Sequence, residues 1–300
     1  MGQLSRTKTT VLITFLVVVW GVAWPIYKIA LAYTPPLLFA GMRTLLGGLF
    51  LAVLLLPKRK LLRWKENRSI YLISSIFNVV IFYGVQSIGL RYIPAGLFSV
   101  IVYLQPILIG IFAWLWLGES MTALKVIGLI LGFFGVAAVS SEGFTGHISG
   151  LGIVLALVTA VGWAVGTIYS KKVGHRVDAM WLSAFQCIIG GIILTGSGFV
   201  YENWSEIIWN VPYVFGLVFG VVLGISTAWV VYFTLVKAGD ASKVASYTFL
   251  VPLISVFSGT LFLGEPFTVS LLIGLLLIAV SIYLVNRKPS VSMKQNRETA

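Results

Sequence analysis

Carboxylates are scarce in this sequence. Only nine of its 300 residues are Asp or Glu, against 21 Lys and Arg, and it has two His and one Cys. Charged residues make up 10% of the chain, where a soluble domain carries roughly 25%; 59% is hydrophobic, with a mean hydropathy of +1.00. Each shortage excludes something. The lone Cys187 forms no intrachain disulfide and says nothing about redox compartment. His147 and His175 fall in loops, so neither a His relay nor a metal site is expected. All nine acids are scattered over loops and helix ends: Glu66, Glu119, Glu142, Asp178, Glu202, Glu206, Asp240, Glu265 and Glu298. A membrane enzyme needs clustered His, Asp or Glu, and a proton relay needs a carboxylate near mid-membrane. Neither is expected, and no catalytic residue or cofactor is assigned. There is no GxxxxGK[ST] loop and no soluble block to hold an ATP site.

What the chain has is long apolar blocks. Ten read as spans, at roughly 10–32, 36–56, 69–89, 94–117, 121–141, 150–171, 178–200, 211–236, 242–263 and 268–286; about 20 apolar residues cross a bilayer as a helix. They are continuously apolar rather than alternating, which favours helices over barrel strands. The first block is too long for a cleavable signal, and no small-residue cleavage site follows it. The fold class expected is an all-α polytopic membrane protein.

The net charge of +12 does not point to nucleic acid, because the cations sit between the apolar blocks. With the N-terminus placed inside, 18 of the 21 Lys and Arg fall on the inner side and only Arg91 lies outside. Lys28 and Arg43 fall within the first two spans. This bias predicts both termini in the cytoplasm and an even number of spans in the cell membrane.

The stretch WLWLGESMT (114–122) returns as TLFLGEPFT (260–268). At an offset of 146, residues 95–137 align with 241–283 without a gap and with about 12 identical pairs, among them Pro106/Pro252, Gly118/Gly264, Glu119/Glu265 and Thr122/Thr268. Nearer the start of each half the offset is 143: Trp20 faces Trp163, Lys28 faces Lys171 and Arg43 faces Gln186. Each half holds five spans, an odd number, so the second half enters the membrane inverted. Inverted repeats are a transporter architecture. The expected organisation is a cytoplasmic N-terminus (1–9), a first five-helix repeat (10–141), a second, inverted one (150–286) and a disordered cytoplasmic tail (287–300).

WGVAWPIYKIAL (20–31), MRTLLGGLF (42–50), GLRYIPAGLFSVIVYLQPILIGIFAWLWLGESMTALKVIGLILGFFGVAAV (89–139) and ASKVASYTFLVPLISVFSGTLFLGEPFTVSLLIGLLLIAV (241–280) resemble the EamA family of the drug/metabolite transporter superfamily. The resemblance covers nearly the whole chain. It implies ten helices in two inverted five-helix bundles and export of amino acids or related small metabolites. The four-helix multidrug relatives carry a membrane-embedded Glu in helix 1; this chain has none there.

Candidate residues follow from depth and chemistry. Trp20, Trp24, Asn78, Tyr103, Trp163 and Tyr247 lie near mid-membrane, with Thr159 and Thr227. Ser75, Asn78, Phe82 and Gln86 share one helical face by three- and four-residue spacing. Aromatic walls with a few amides or hydroxyls suit a small amphipathic solute; helix packing is the competing reading for each residue alone. Arg43 lies about 10 Å from the outer end of its helix at 1.5 Å per residue. It needs a partner such as freed carbonyls, or a substrate carboxylate. Lys28 reads as a snorkelling side chain.

Pro25, Pro106 and Pro252 fall inside helices and free the carbonyls of Gly21, Val102 and Thr248, as kinks beside the pathway or as packing bends. Gly118 and Gly264 end helices. Glu119 and Glu265 approach the positive ends of the helices that follow, and Thr122 and Thr268 can cap them. These are tight turns, or the marks of a cytoplasmic and an external gate. Gly216, Gly220 and Gly224, and Gly128, Gly132 and Gly135, form small-residue stripes, for packing within the monomer or for a homodimer face.

The function expected is secondary export of amino acids or related metabolites by alternating access, with a small-molecule solute and the lipid bilayer as partners. Efflux of cationic drugs and import of a metabolite are the alternatives. Without a central carboxylate, facilitated export or exchange is expected ahead of proton antiport.

Overall fold

The computed structural model describes residues 4–89, 92–93, 95–139, 149–263 and 269–287. Arg91, Glu142, His147, Gly264, Glu265, Thr268 and the tail after Arg287 lie outside the described residues, as do the side chains of Trp24 and Lys28.

The described residues are helices joined by short turns. In chain order these are α1 (Arg6–Ala30), α2 (Pro36–Leu54), α3 (Trp64–Ser75), α4 (Gln86–Gly89), α5 (Ala95–Val102), α6 (Gln105–Leu117), α7 (Ala123–Val139), α8 (Gly150–Val173), α9 (Ala179–Tyr201), α10 (Val211–Phe219), α11 (Ala228–Ala238), α12 (Ala241–Tyr247), α13 (Leu250–Leu263) and α14 (Val269–Asn286). Seven helical stretches among the described residues are long and apolar enough to cross a bilayer, and two shorter apolar helices accompany them. Large apolar side chains such as Phe50, Trp114, Phe199 and Phe215 face outward, as a lipid solvent requires. This is a multi-pass helical membrane protein.

The ends of the helices obey local chemistry. Pro36 opens α2, where a missing N–H costs nothing. Asp178 accepts from the amides of Met180 and Trp181 to cap α9, and Asn210 accepts from Tyr213 N to cap α10. Gly118 closes α6 in the left-handed region at φ +67°.

Two departures from the expected spans share one cause. The fourth and ninth spans are not continuous. The chain breaks at Tyr103–Leu104, between α5 and α6, and at Thr248–Phe249, between α12 and α13. Pro106 and Pro252 therefore do not kink unbroken helices; each sits in the first turn of a new one, where proline is tolerated. The Thr248 carbonyl, expected to be freed, accepts from Val251 N at 3.0 Å. Pro25 does lie inside α1. The third span starts at Trp64, five residues earlier than its apolar block, because polar Lys65–Ser69 continue the helix.

Between α3 and α4 the helix widens to π geometry over Ile76–Val85, and between α10 and α11 it does so again over Gly220–Thr227. The offset of 143 superposes these two segments. In the second, Ser226 and Thr227 donate to the carbonyls five residues back, Val221 and Val222. Asn78 and Phe82 nevertheless both pack on α8, Asn78 at Gly166 and Ser170 and Phe82 at Trp163.

α2 and α9 run antiparallel in close contact. Leu38 meets Gly198, Gly41 meets Thr195, Leu45 meets Gly191 and Gly48 meets Ala184. A Cβ on Gly191 would fall 2.4 Å from the backbone nitrogen of Leu45, so only glycine permits that approach. α7 and α14 cross in the same sense, Gly128 against Val285 and Gly135 against Ile278. Gly132 meets Phe249 and Ser281, so all three glycines of the α7 stripe are used within the chain.

Candidate functional site

A cation lies buried where α1, α2 and the first π segment meet. Arg43, 9% exposed, places its guanidinium carbon 4.3 Å from the Tyr27 ring centroid, 4.8 Å from Tyr83 and 5.4 Å from Phe39. Its Nε–H has no hydrogen-bond partner, and no carboxylate pairs with it among the described residues. The carbonyls expected as its partners are replaced by ring faces. Cation–π attraction stabilises a desolvated cation by about 2 kcal/mol or more per ring, which offsets part of the several kcal/mol that burial costs an ion. Among the described residues the guanidinium thus keeps its positive charge without a carboxylate beside it.

From this box the aromatics continue inward. Tyr83 accepts at its hydroxyl from Trp229 Nε1, 3.3 Å away. Trp20 donates to Gly224 O at 3.4 Å, and its ring stands edge-on to Trp163 at 5.8 Å and to Trp229 at 5.9 Å. Phe82 closes on Trp163 at 4.7 Å. Thr167 and Tyr232 share a hydrogen bond of 3.0 Å. The indole N–H of Trp163 is buried without a partner. Trp20 also packs against a second cluster containing Tyr103, Leu129 and Phe249, so it joins both parts of the core. Gln105, at the break before α6, is fully buried; its Nε2 donates to Thr248 at 3.4 Å, and its Oε1 is unpartnered.

The candidate residues therefore separate. Trp20, Trp163 and Arg43 are joined through Tyr83 and Trp229. Tyr103 is adjacent through Trp20. Asn78 turns elsewhere: it donates to Ser74, Ser170 and Gln186 at 3.1–3.3 Å in a fully enclosed seam between α3, α8 and α9. Gln86 is half-buried about 12 Å further along its helix, and Tyr247 is half-buried at the end of α12. Trp24 cannot be placed, since its side chain lies outside the described residues.

At the basic end of the bundle Glu119 ties distant parts together. Its Oε1 accepts from Lys171 Nζ at 2.6 Å and from Ala241 N at 2.7 Å, and its Oε2 accepts from Ser242 Oγ at 2.8 Å. Lys171 also donates to Gly239 O, and Lys125 Nζ donates to Ser120 O and Ser242 Oγ. Glu119 thus caps α12, not the helix that follows it, because the α12 amides and the Lys171 ammonium converge on the same carboxylate. Thr122 does accept from Lys125 N at the start of α7. Burial opposes ionisation of Glu119, but Lys171 and the Ala241 and Ser242 donors outweigh it and hold the carboxyl below its ordinary range. At the opposite end Glu202 caps α2, accepting from Leu37 N and Leu38 N at 3.0 and 2.8 Å.

Sequence reasoning missed Lys171, Ser242 and Gln105 as working residues. Lys171 had a signal, its match to Lys28; a lone Ser at a helix start and a Gln among aromatics had none.

The chain is thus an apolar multi-pass bundle with buried polar and aromatic clusters and an ion pair at one end. The model of the EamA-like transporter family matches twice, over residues 7–141 and 150–287. The chain belongs to that family. It is 58% identical to an uncharacterized transporter, YvbV, of Bacillus subtilis (strain 168), over 96% of this chain and 94% of that one. It is 28% identical to a probable amino-acid metabolite efflux pump of Escherichia coli (strain K12), over 92% of this chain and 94% of the relative. A solved crystal structure with 19% identity superposes with a TM-score of 0.79, covering 94% of this chain and 97% of the other, and shares its fold.

Proposed function

We propose that this transporter exports amino acids or closely related metabolites across the cytoplasmic membrane by alternating access. In this reading the chain crosses ten times with both termini in the cytoplasm. Residues 10–141 and 150–286 form two inverted five-helix units, and the solute binds between them. The antiparallel pairing of α2 with α9 and of α7 with α14 supports inversion, since each pair joins helices at the same place in the two family matches.

Arg43 carries the choice of substrate. A buried guanidinium with an unpartnered Nε–H and no carboxylate beside it among the described residues suits a carboxylate, and the adjoining Trp20, Trp163 and Trp229 offer ring faces for an ammonium or an apolar side chain. The name of the Escherichia coli relative points the same way. Cationic drugs fit poorly beside an unbalanced cation. Glu119 marks the cytoplasmic gate, drawn shut by Lys171 and α12; its repeat partner Glu265 marks the external one. Trp24, Tyr103 and Tyr247 stand as further contacts, Asn78 and Gln86 as polar stations along the path, and the breaks at Pro106 and Pro252 as points where the halves flex.

The test is counterflow in proteoliposomes over a panel of amino acids, organic acids and lipophilic cations, with metabolite profiling of cells lacking or overproducing the protein. Uptake of a carboxylate-bearing solute that Arg43→Met abolishes supports the reading. Accumulation inside cells on overproduction makes the protein an importer. Counterflow of cations alone overturns the substrate class.

A further inference from the structure

The stretch joining α2 to α3 is dense in positive charge. Lys58, Arg59, Lys60, Arg63, Lys65 and Arg68 fall within 11 residues, with Glu66 the one acid among them. All six cations are exposed. Glu66 reaches only Arg63, at 3.9 Å with both side chains more than 60% exposed, which neutralises little. Such a run also orients a chain in its membrane, but orientation asks nothing of its conformation or of the residues between the charges.

Here both are specified. After α2 the chain enters a short 3-10 turn, Leu56–Leu61. Leu55 is buried beside Leu51, Trp181 and Ala184, and Leu62 packs nearby. Trp181 Nε1 donates to Lys58 O at 3.1 Å, and Tyr71 Oη donates to Leu62 O at 2.5 Å. Arg63 adopts φ +43°, a conformation uncommon for any residue with a side chain, and so turns the chain into α3. Trp64 then stacks on Tyr71 at 5.8 Å and closes on Phe185 at 4.9 Å. Both sides of the turn are pinned, so the cations project from a fixed frame.

Between the cations, apolar side chains point outward: Leu56 is 58% exposed, Leu61 48% and Trp64 44%. The segment directly joins two membrane-crossing helices, which places it at the hydrocarbon boundary. Exposed Leu and Trp among Lys and Arg at that depth meet both parts of a phospholipid: acyl chains for the apolar groups, phosphates for the cations.

We propose that residues 56–68 form a docking surface for anionic phospholipids of the surrounding bilayer. A soluble phosphate would meet the charges but not Leu56, Leu61 and Trp64. The pins come from Trp181 and Phe185 at the foot of α9, so a seated lipid braces the end of the α2–α9 seam.

The experiment uses the full-length protein in nanodiscs, in which insertion in the cell plays no part. Phosphatidylglycerol is added in increasing fractions to phosphatidylcholine, and retained lipid is counted by native mass spectrometry alongside thermal unfolding. The expected result is selective retention of phosphatidylglycerol and a higher melting temperature, both fading as salt rises. The combined variant Lys58→Gln, Arg59→Gln, Lys60→Gln, Arg68→Gln, which keeps the Arg63 turn, lowers retention at least about tenfold. Trp64→Ala keeps every charge and lowers it less. Equal retention by variant and wild type overturns the proposal. So does displacement of the lipid by inorganic phosphate, or, should the variant not fold, wild-type retention that ignores both lipid charge and salt.

Discussion

Lys171, near the end of α8, meets Glu119, just after α6, at 2.6 Å across 52 positions of chain. Both side chains are largely withdrawn from solvent, at 19% and 9% exposure. The same carboxylate takes the first amide of α12, so one residue gathers three helices.

Loss of that carboxylate loosens the basic end. Hydrogen bonds to a charged group contribute about 1.5–3 kcal/mol each, so Glu119→Gln raises the open population about tenfold or more. A single cysteine behind the proposed gate, labelled from the basic end of the bundle, reports this as a faster reaction. The exchange Glu119→Lys with Lys171→Glu recovers part of the closure but not the α12 cap, because a lysine accepts nothing from Ala241 N. Full recovery would mean that the amide contact is idle.

Acid acts on the same group with a defined sign. Glu119 titrates below its usual range, and so does Asp240, where burial is outweighed by Lys243 and Lys125. A lowered carboxyl contributes closure that is complete above its ordinary value and is lost as pH falls through the lowered one. Labelling behind the gate, taken relative to a fully exposed cysteine whose thiolate fraction follows pH in the same way, is therefore flat from about pH 8 to pH 5 and accelerates only below about pH 4. A rise centred near neutrality would assign the opening to another group. The same flatness leaves Glu119 unable to carry protons at physiological pH while the gate is shut.

Arg43 is expected to trade stability for selection. Replacing a buried, unpaired ion with an apolar side chain of similar length is often neutral or stabilising, so Arg43→Met unfolds at the same temperature as wild type or higher. Transport of carboxylate solutes falls by about a hundredfold, the weight of one lost charge-assisted contact of about 3 kcal/mol. Arg43→Lys does not restore it, because an ammonium lacks the planar fork. A variant that loses both stability and transport would make the cation structural.

Two glycines of α9 separate packing from propensity. Gly191→Ala drives a methyl against the Leu45 backbone and costs about 1–3 kcal/mol. Gly196→Ala meets nothing within 4 Å and gains up to about 1 kcal/mol of helix propensity. Thermal unfolding of the pair in one detergent distinguishes them; equal shifts would deny the close approach of α2 and α9.

Much of the frame was legible in the order of the residues. Apolar blocks located the helices, and Gly118 announced the left-handed end of α6. Arg43 stood out as a cation at a costly depth. The rest was hidden for physical reasons. Apolar runs look alike whether a helix is straight, broken or wide, so the breaks at Tyr103–Leu104 and Thr248–Phe249 and both π segments had no signature in composition. The hydrogen bonds of Asn78 to Ser74, Ser170 and Gln186 depend on three helices meeting, which spacing along one helix does not reveal. Glu119 was visible as a residue near a helix start, but which helix it caps depends on how segments far apart in the chain come to meet.

The α2–α9 seam and the Glu119 cap share one further property: each joins a segment from the first family match to one from the second. Two separate copies of a shorter chain would have to find such contacts by diffusion and would come apart on dilution. Here one continuous chain keeps the partners at high effective concentration. Formation of these contacts is thus a first-order event, independent of how much protein the membrane holds.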